Sequence, residues 1–336
     1  MDEGTNISKQ ERAPLVPGAT TPESRAPGPD FAAAVQPSYV RTVFFGPDGL
    51  RAGWGLAFYV AMFYPLQVVA GRWAWSRNLG ADGLWSMILE EFGLLVAAVL
   101  PAVVLGIVEG RRWGLYGLPR RQALGKLFWV GAVWGFASIS LLLGTIYGLR
   151  VFEIGHLAMH GPRILRFAAF WGTMFLLVGL FEDFLFRGYS QFTLTRAIGF
   201  WQSAAVLSCT FGLVHIRNEG EQWPGLLAVV VIGLFLCLTL RRTGSLWFAV
   251  GFHAAWDWGE TFFYSVPDSG TIFPGHLLKS SLHGPQWLSG GMVGPEGSVL
   301  CFVVIAVVGA GFARVYPEVK YGAEMSLTER AQGITG

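Results

Sequence analysis

Three polar interruptions stand inside otherwise apolar runs of the sequence: Phe181-Glu182-Asp183-Phe184-Leu185-Phe186-Arg187, Phe211-Gly212-Leu213-Val214-His215 and His253-Ala254-Ala255-Trp256-Asp257. A charged side chain in hydrocarbon costs about 2.5–3.5 kcal/mol on insertion scales, so a segment that keeps one needs it for pairing or for chemistry. On a helix, Asp183 and Arg187 are four residues apart and share a face, as do His253 and Asp257, while Glu182 is turned about 100° from Asp183. A carboxylate beside a histidine can take a proton from water while the imidazole fixes the attacking molecule. A second histidine, with a hydrogen-bonding partner four residues later, can hold the oxyanion as a carbonyl becomes tetrahedral. That chemistry is amide hydrolysis. The same atoms also make a metal set, with His215, His253 and Glu182 as ligands, and residue types alone do not separate the two.

These residues can act together only if helices bring them to one height. The apolar runs predict spans at 53–71, 84–108, 127–149, 167–186, 199–216, 224–240, 246–264 and 297–313, since about 20 apolar residues cross the hydrocarbon as a helix. This is an all-α, polytopic membrane helix bundle of about eight transmembrane helices. The fourth and fifth spans meet at a tight connection, Ala197-Ile198-Gly199, midway between Glu182 and His215. Each of the two then lies about 24 Å along its helix at 1.5 Å per residue, so they arrive level. His253 follows the turn at Ser245 by about 12 Å. The polar run Arg187-Gly188-Tyr189-Ser190-Gln191 places the site near a membrane interface.

Composition agrees with a membrane protein. Of 336 residues, 53% are hydrophobic and only 14% charged, against about 25% charged in soluble domains. A net charge of +2 gives no basic excess for a nucleic-acid backbone, so nucleic acid is excluded as a partner. The three cysteines, Cys209, Cys237 and Cys301, are too scattered for a disulfide framework or a cysteine zinc site and read as buried packing residues. Residues 1–45 are rich in Pro, Gly and polar residues and read as a disordered tail, followed by the membrane domain at 46–316 and a C-terminal tail at 317–336. The acidic N-terminus has no apolar stretch of a secretory signal. Seventeen of the 24 Lys and Arg fall on the side of the two termini and seven on the other, which predicts both termini in the cytoplasm. Short loops favour a bacterial inner membrane.

The order Glu-acid-Arg, then FxxxH, then HxxxD resembles the CPBP family of intramembrane endopeptidases, the CAAX-protease, bacteriocin-processing or Abi family. The stretch Arg242-Thr243-Gly244-Ser245-Leu246-Trp247 is similar to that family's approach to its HxxxN/D span. The resemblance covers about residues 181–258. It implies that Glu182 is the general base with His215, that His253 and Asp257 form the oxyanion site, and that Arg187 orients the acidic pair. The family's usual Glu-Glu is Glu182-Asp183 here, a side chain one methylene shorter. The resemblance also implies a peptide or membrane-protein substrate, prenylated substrates included, met in the lipid bilayer. No cofactor is required on one description of the family; zinc is, on the other.

Blander readings stand beside these. Asp183 and Arg187 can simply neutralise one another, Phe211 packs against the site, and Glu260, on the face of His253, reads as an interfacial anchor. Glu153, His156 and His160 form ExxHxxxH in what reads as an exposed loop, His276 and His283 read as solvated, and Trp54, Trp113 and Trp247 read as interfacial anchors. Two other functions fit the same residues: a non-catalytic immunity or scaffold protein that retains the pocket, and a cofactor protein using His215 and His253 as axial haem ligands.

Overall fold

Runs of Leu, Val, Phe and Ala uninterrupted by polar residues satisfy their backbone internally as helices, and the chain is built almost wholly from these. The computed structural model describes residues 39–321, apart from 47–48, 78, 80–82 and 219. Two units are distinguished, Met1–Val43 and Phe44–Gly336. Of the first, the described part begins a short helix, α1 (Tyr39–Phe44), inside the stretch expected to be a tail. The remainder of that stretch, and 322–336 of the expected C-terminal tail, lie outside the described residues.

The second unit contains α2 (Ala52–Ser76), α3 (Leu84–Val108), α4 (Lys126–Gly148), α5 (Pro162–Arg187), α6 (Tyr189–Ile198), α7 (Phe200–Val214), α8 (Trp223–Thr243), α9 (Trp247–Trp258), α10 (Gln286–Ser289) and α11 (Val299–Val315). Two antiparallel ribbons complete it: β1 (Phe45–Gly46) with β2 (Gly49–Leu50), and β3 (Phe152–Glu153) with β4 (Ser281–Leu282). The protein is an all-helical integral membrane bundle. Every expected span coincides with a helix. Five of them, α2, α3, α4, α5 continuing into α6, and α8, are long and apolar enough to cross a membrane. The other three, α7, α9 and α11, run 15, 12 and 17 residues. The α9 helix is prolonged by a π-helical turn, Gly259–Tyr264.

The α9 helix lies deepest. Phe248, Ala249, Val250 and Phe252 are all at most 1% exposed, and α9 packs most extensively against α4 and next against α5. Lipid offers no hydrophobic drive to press helices together, so close approach depends on small residues at the seam. Gly131 and Gly135 of α4 and Gly251 of α9 provide it: a Cβ at these positions would run into the carbonyl oxygens of Phe248, Phe252 and Phe128. On the other side, a Cβ at Gly179 of α5 would lie 3.2 Å from the Val250 carbonyl and 3.6 Å from His253 Cβ.

The start of α9 is pinned by the Arg242–Trp247 stretch. Gly244, at φ +72°, ends α8 in a left-handed conformation that its missing Cβ permits. The Leu246 amide then donates to Gly117 O at 2.7 Å, and the Trp247 indole N–H donates to Pro119 O at 3.1 Å. Trp247 is therefore a core residue, 7% exposed, and not an interfacial anchor. Its polar edge is satisfied by a backbone carbonyl inside the fold, a partner no local sequence pattern announces.

Candidate active site

The α5, α7, α8 and α9 helices, joined by α3 and the segment before α11, surround a cavity of about 370 Å³. Glu182, Phe211, His215, His253 and Asp257 all line it, so the residues picked out by sequence come to one place. They do not meet as the straight hairpin predicts. At Gly188 the backbone breaks (φ −86°, ψ −112°), ending α5 and starting α6 as a separate helix.

His253 is the centre of the polar group. Its Nε2 lies 3.6 Å from Glu182 Oε2 and 3.5 Å from Asp257 Oδ2, and its Nδ1 lies 3.5 Å from Asp183 Oδ2. These are ion-pair approaches, longer than a well-formed hydrogen bond. Asp183 is held in turn by Arg187, whose Nη1 donates to Oδ1 at 2.9 Å with the two side chains 0% and 1% exposed. Glu182 retains 22% of its side-chain surface. Of the two adjacent acids, Glu182 is therefore the one that water or a substrate can reach, and Asp183 is sealed into the packing.

The ring of His215 is fixed from its own helix: Nδ1–H donates to Phe211 O at 2.7 Å, which leaves Nε2 as the nitrogen with a free lone pair. Phe211 stands between two charged or chargeable partners. Its ring meets His215 edge to face with centroids 4.7 Å apart, and the Arg187 guanidinium carbon sits 4.6 Å over it, a cation–π geometry. Glu182 and His215 share the cavity without a direct ion pair or hydrogen bond between them among the described residues.

Three functional candidates escaped the sequence reading, and a fourth was singled out there but read as an anchor. Glu91 of α3 reaches the cavity, with Oε2 buried and without a hydrogen-bond partner; an acid in the middle of an apolar span was a visible signal. Asp268, from the loop after the π-helical turn, and Glu296, from the 3-10 turn Pro295–Gly297, line the cavity too. Each is 8% exposed, and nothing in their Gly- and Pro-rich surroundings distinguishes them from surface loop acids. Burial, offset in part by the Thr261 hydroxyl, leaves Asp268 raised to about 6. Burial and the neighbouring Asp268 push Glu296 up to about 8. The fourth is Glu260, which is 0% exposed and so no interfacial anchor: the π-helical turn directs it inward.

Among the described residues, Asp257, Asp268 and Glu296 form a group that brings three ligand atoms within 4.8 Å of one another. Among the described residues, Glu182, His215 and His253 are not gathered in this way. Glu153, His156 and His160 are exposed and form no such group either; Glu153 instead faces His283 at 3.3 Å. Cys237 and Cys301 are buried as expected, but Cys209 is exposed, on the outer face of α7.

Fold and site together define a polytopic membrane protein with a carboxylate–histidine cavity among its helices. Residues 164–259 match the family model of type II CAAX prenyl endopeptidases, Rce1-like. The matched stretch includes all three motifs on which the resemblance to CPBP proteases rests, and the chain shares that protease family's signature there. No curated protein matches the chain.

Proposed function

We propose that the protein is an intramembrane endopeptidase that hydrolyses a peptide bond by water activated between Glu182 and His215. The observation that carries this reading is the cavity itself, in which a reachable carboxylate, a histidine of fixed tautomer and a second histidine bracketed by acids face one space inside membrane helices. Glu182 accepts the proton from water, and His215, with Nδ1–H committed to Phe211 O, offers Nε2 to the same water. His253, when doubly protonated, turns Nδ1–H to the sealed Asp183 and presents Nε2–H toward the developing oxyanion. Asp183 and Asp257 hold the ring at its two nitrogens, and Arg187 holds Asp183.

The walls suit an extended peptide carrying an apolar group: Met174, Phe175, Val229, Ile232 and Leu236 line the same cavity as the acids. Prenylated peptides are the substrate class that the family likeness supports. The Lys and Arg distribution supports a cytoplasmic position for both termini. The test is cleavage of quenched peptides, with and without a prenyl group, by the purified chain and by Glu182→Gln and His215→Ala, each with and without chelator.

A further inference from the structure

Asp257, Asp268 and Glu296 come from three separate elements, α9, the loop beyond it and the turn before α11, yet their carboxylate oxygens lie within 4.8 Å of one another. All three are at most 8% exposed. Acids gathered in this way repel, and their described hydrogen bonds are few: Thr261 Oγ1 donates to Asp268 Oδ2 at 2.8 Å and Ser269 Oγ to Glu296 Oε2 at 3.4 Å. No Lys or Arg lines the cavity among the described residues, and the only imidazoles there are those of His253, 3.5 Å from Asp257, and His215.

A fourth buried acid lies close by. Glu260 is 0% exposed, and neither of its oxygens has a hydrogen-bond partner. Its Oε1 lies 3.2 Å from where a Cβ would stand on Gly294, two residues before Glu296. Three gathered carboxyl groups, with Glu260 buried nearby and only the His253 imidazole within ion-pair reach of one of them, need protons or a cation. The spacing favours the cation: three oxygens no more than 4.8 Å apart leave a point within about 2.8 Å of each, so a small inward adjustment brings all three to a Ca–O distance of about 2.4 Å. A donor set made only of carboxylates suits a hard divalent ion.

We propose that Asp257, Asp268 and Glu296, backed by Glu260, bind one divalent cation of the calcium class in the wall of the cavity. The site shares the cavity and Asp257 with the group around His253 but uses neither Glu182 nor His215, and the proposal stands whether or not the protein cleaves peptides.

The test is Tb³⁺ luminescence of the purified full-length chain in detergent, excited through tryptophan, with Ca²⁺ as competitor. Trp256, buried on α9 and lining the same cavity, is the built-in sensitiser. A saturable signal displaced by Ca²⁺ is expected, retained in Glu182→Gln and His215→Ala and weakened at least about tenfold in affinity in Asp268→Asn and Glu296→Gln. Trp256→Phe should dim the signal while calorimetric Ca²⁺ binding persists, a check that does not depend on the acid variants folding. Absence of saturable binding to the wild-type chain would overturn the proposal, as would binding unchanged in folded Asp268→Asn and Glu296→Gln, or lost in Glu182→Gln and His215→Ala.

Discussion

Asp183 accepts a hydrogen bond from Arg187 at 2.9 Å one helical turn away, with both side chains shut off from solvent, and turns its other oxygen to His253 Nδ1 at 3.5 Å. One buried acid thus connects the α5 ion pair to the histidine of α9. Removing Arg187 takes the close hydrogen-bonded partner from that buried acid and leaves it only the longer approach of His253, a loss of up to about 3–5 kcal/mol. Arg187→Met should therefore lower the melting midpoint in detergent strongly. The double variant Arg187→Met with Asp183→Leu should recover most of the stability without recovering activity.

The glycine seam makes a prediction with an internal control. Gly131→Ala and Gly251→Ala drive a methyl group into a backbone carbonyl and should each cost about 1–3 kcal/mol. Gly144, on the same α4 helix, has open space where its Cβ would be. Gly144→Ala should be neutral or stabilising by about 0.4–1 kcal/mol. Thermal unfolding of the three variants side by side checks the contrast.

Gly179 separates position from stability. An added methyl at 3.2 Å from the Val250 carbonyl requires only a few tenths of an ångström of give, but the shift falls at His253. We expect Gly179→Ala to retain nearly the wild-type melting midpoint while kcat drops by about tenfold or more, since misplacement of about 1 Å costs up to 100-fold.

Asp257 and His253 should respond differently to substitution. If His253 carries the oxyanion donor, His253→Ala loses about 10²–10³ in kcat. Asp257→Asn keeps the ring's neighbour in place and gives the HxxxN form of the motif, so it should retain much of the activity that Asp257→Ala loses. The same Asp257→Asn removes a ligand from the proposed cation site and should weaken Tb³⁺ binding. Opposite effects on the two readouts would distinguish the roles of this one carboxylate.

Much of this organisation was legible in the sequence, because apolar runs and intramembrane charges obey strong local rules. Every expected span is a helix, and Glu182, His215, His253 and Asp257 reach one cavity. What local rules could not convey is how the helices end. Gly188 breaks the helix between Glu182 and the Ala197-Ile198-Gly199 connection, and the π-helical turn at 259–264 turns Glu260 inward instead of toward an interface. Asp268 and Glu296 were hidden for a related reason: their burial depends on a loop folding back under the helices, which leaves no periodic trace. Glu91 was readable, since an acid in an apolar span is costly wherever it sits.

The central claim, water activated between Glu182 and His215, is tested most directly by the quenched-peptide assay on purified protein. Wild type should cleave a prenylated or unprenylated peptide, and both Glu182→Gln and His215→Ala, folded by melting midpoint, should lose cleavage. Full activity in either folded variant, or no cleavage of any peptide by the wild-type chain, would contradict the account.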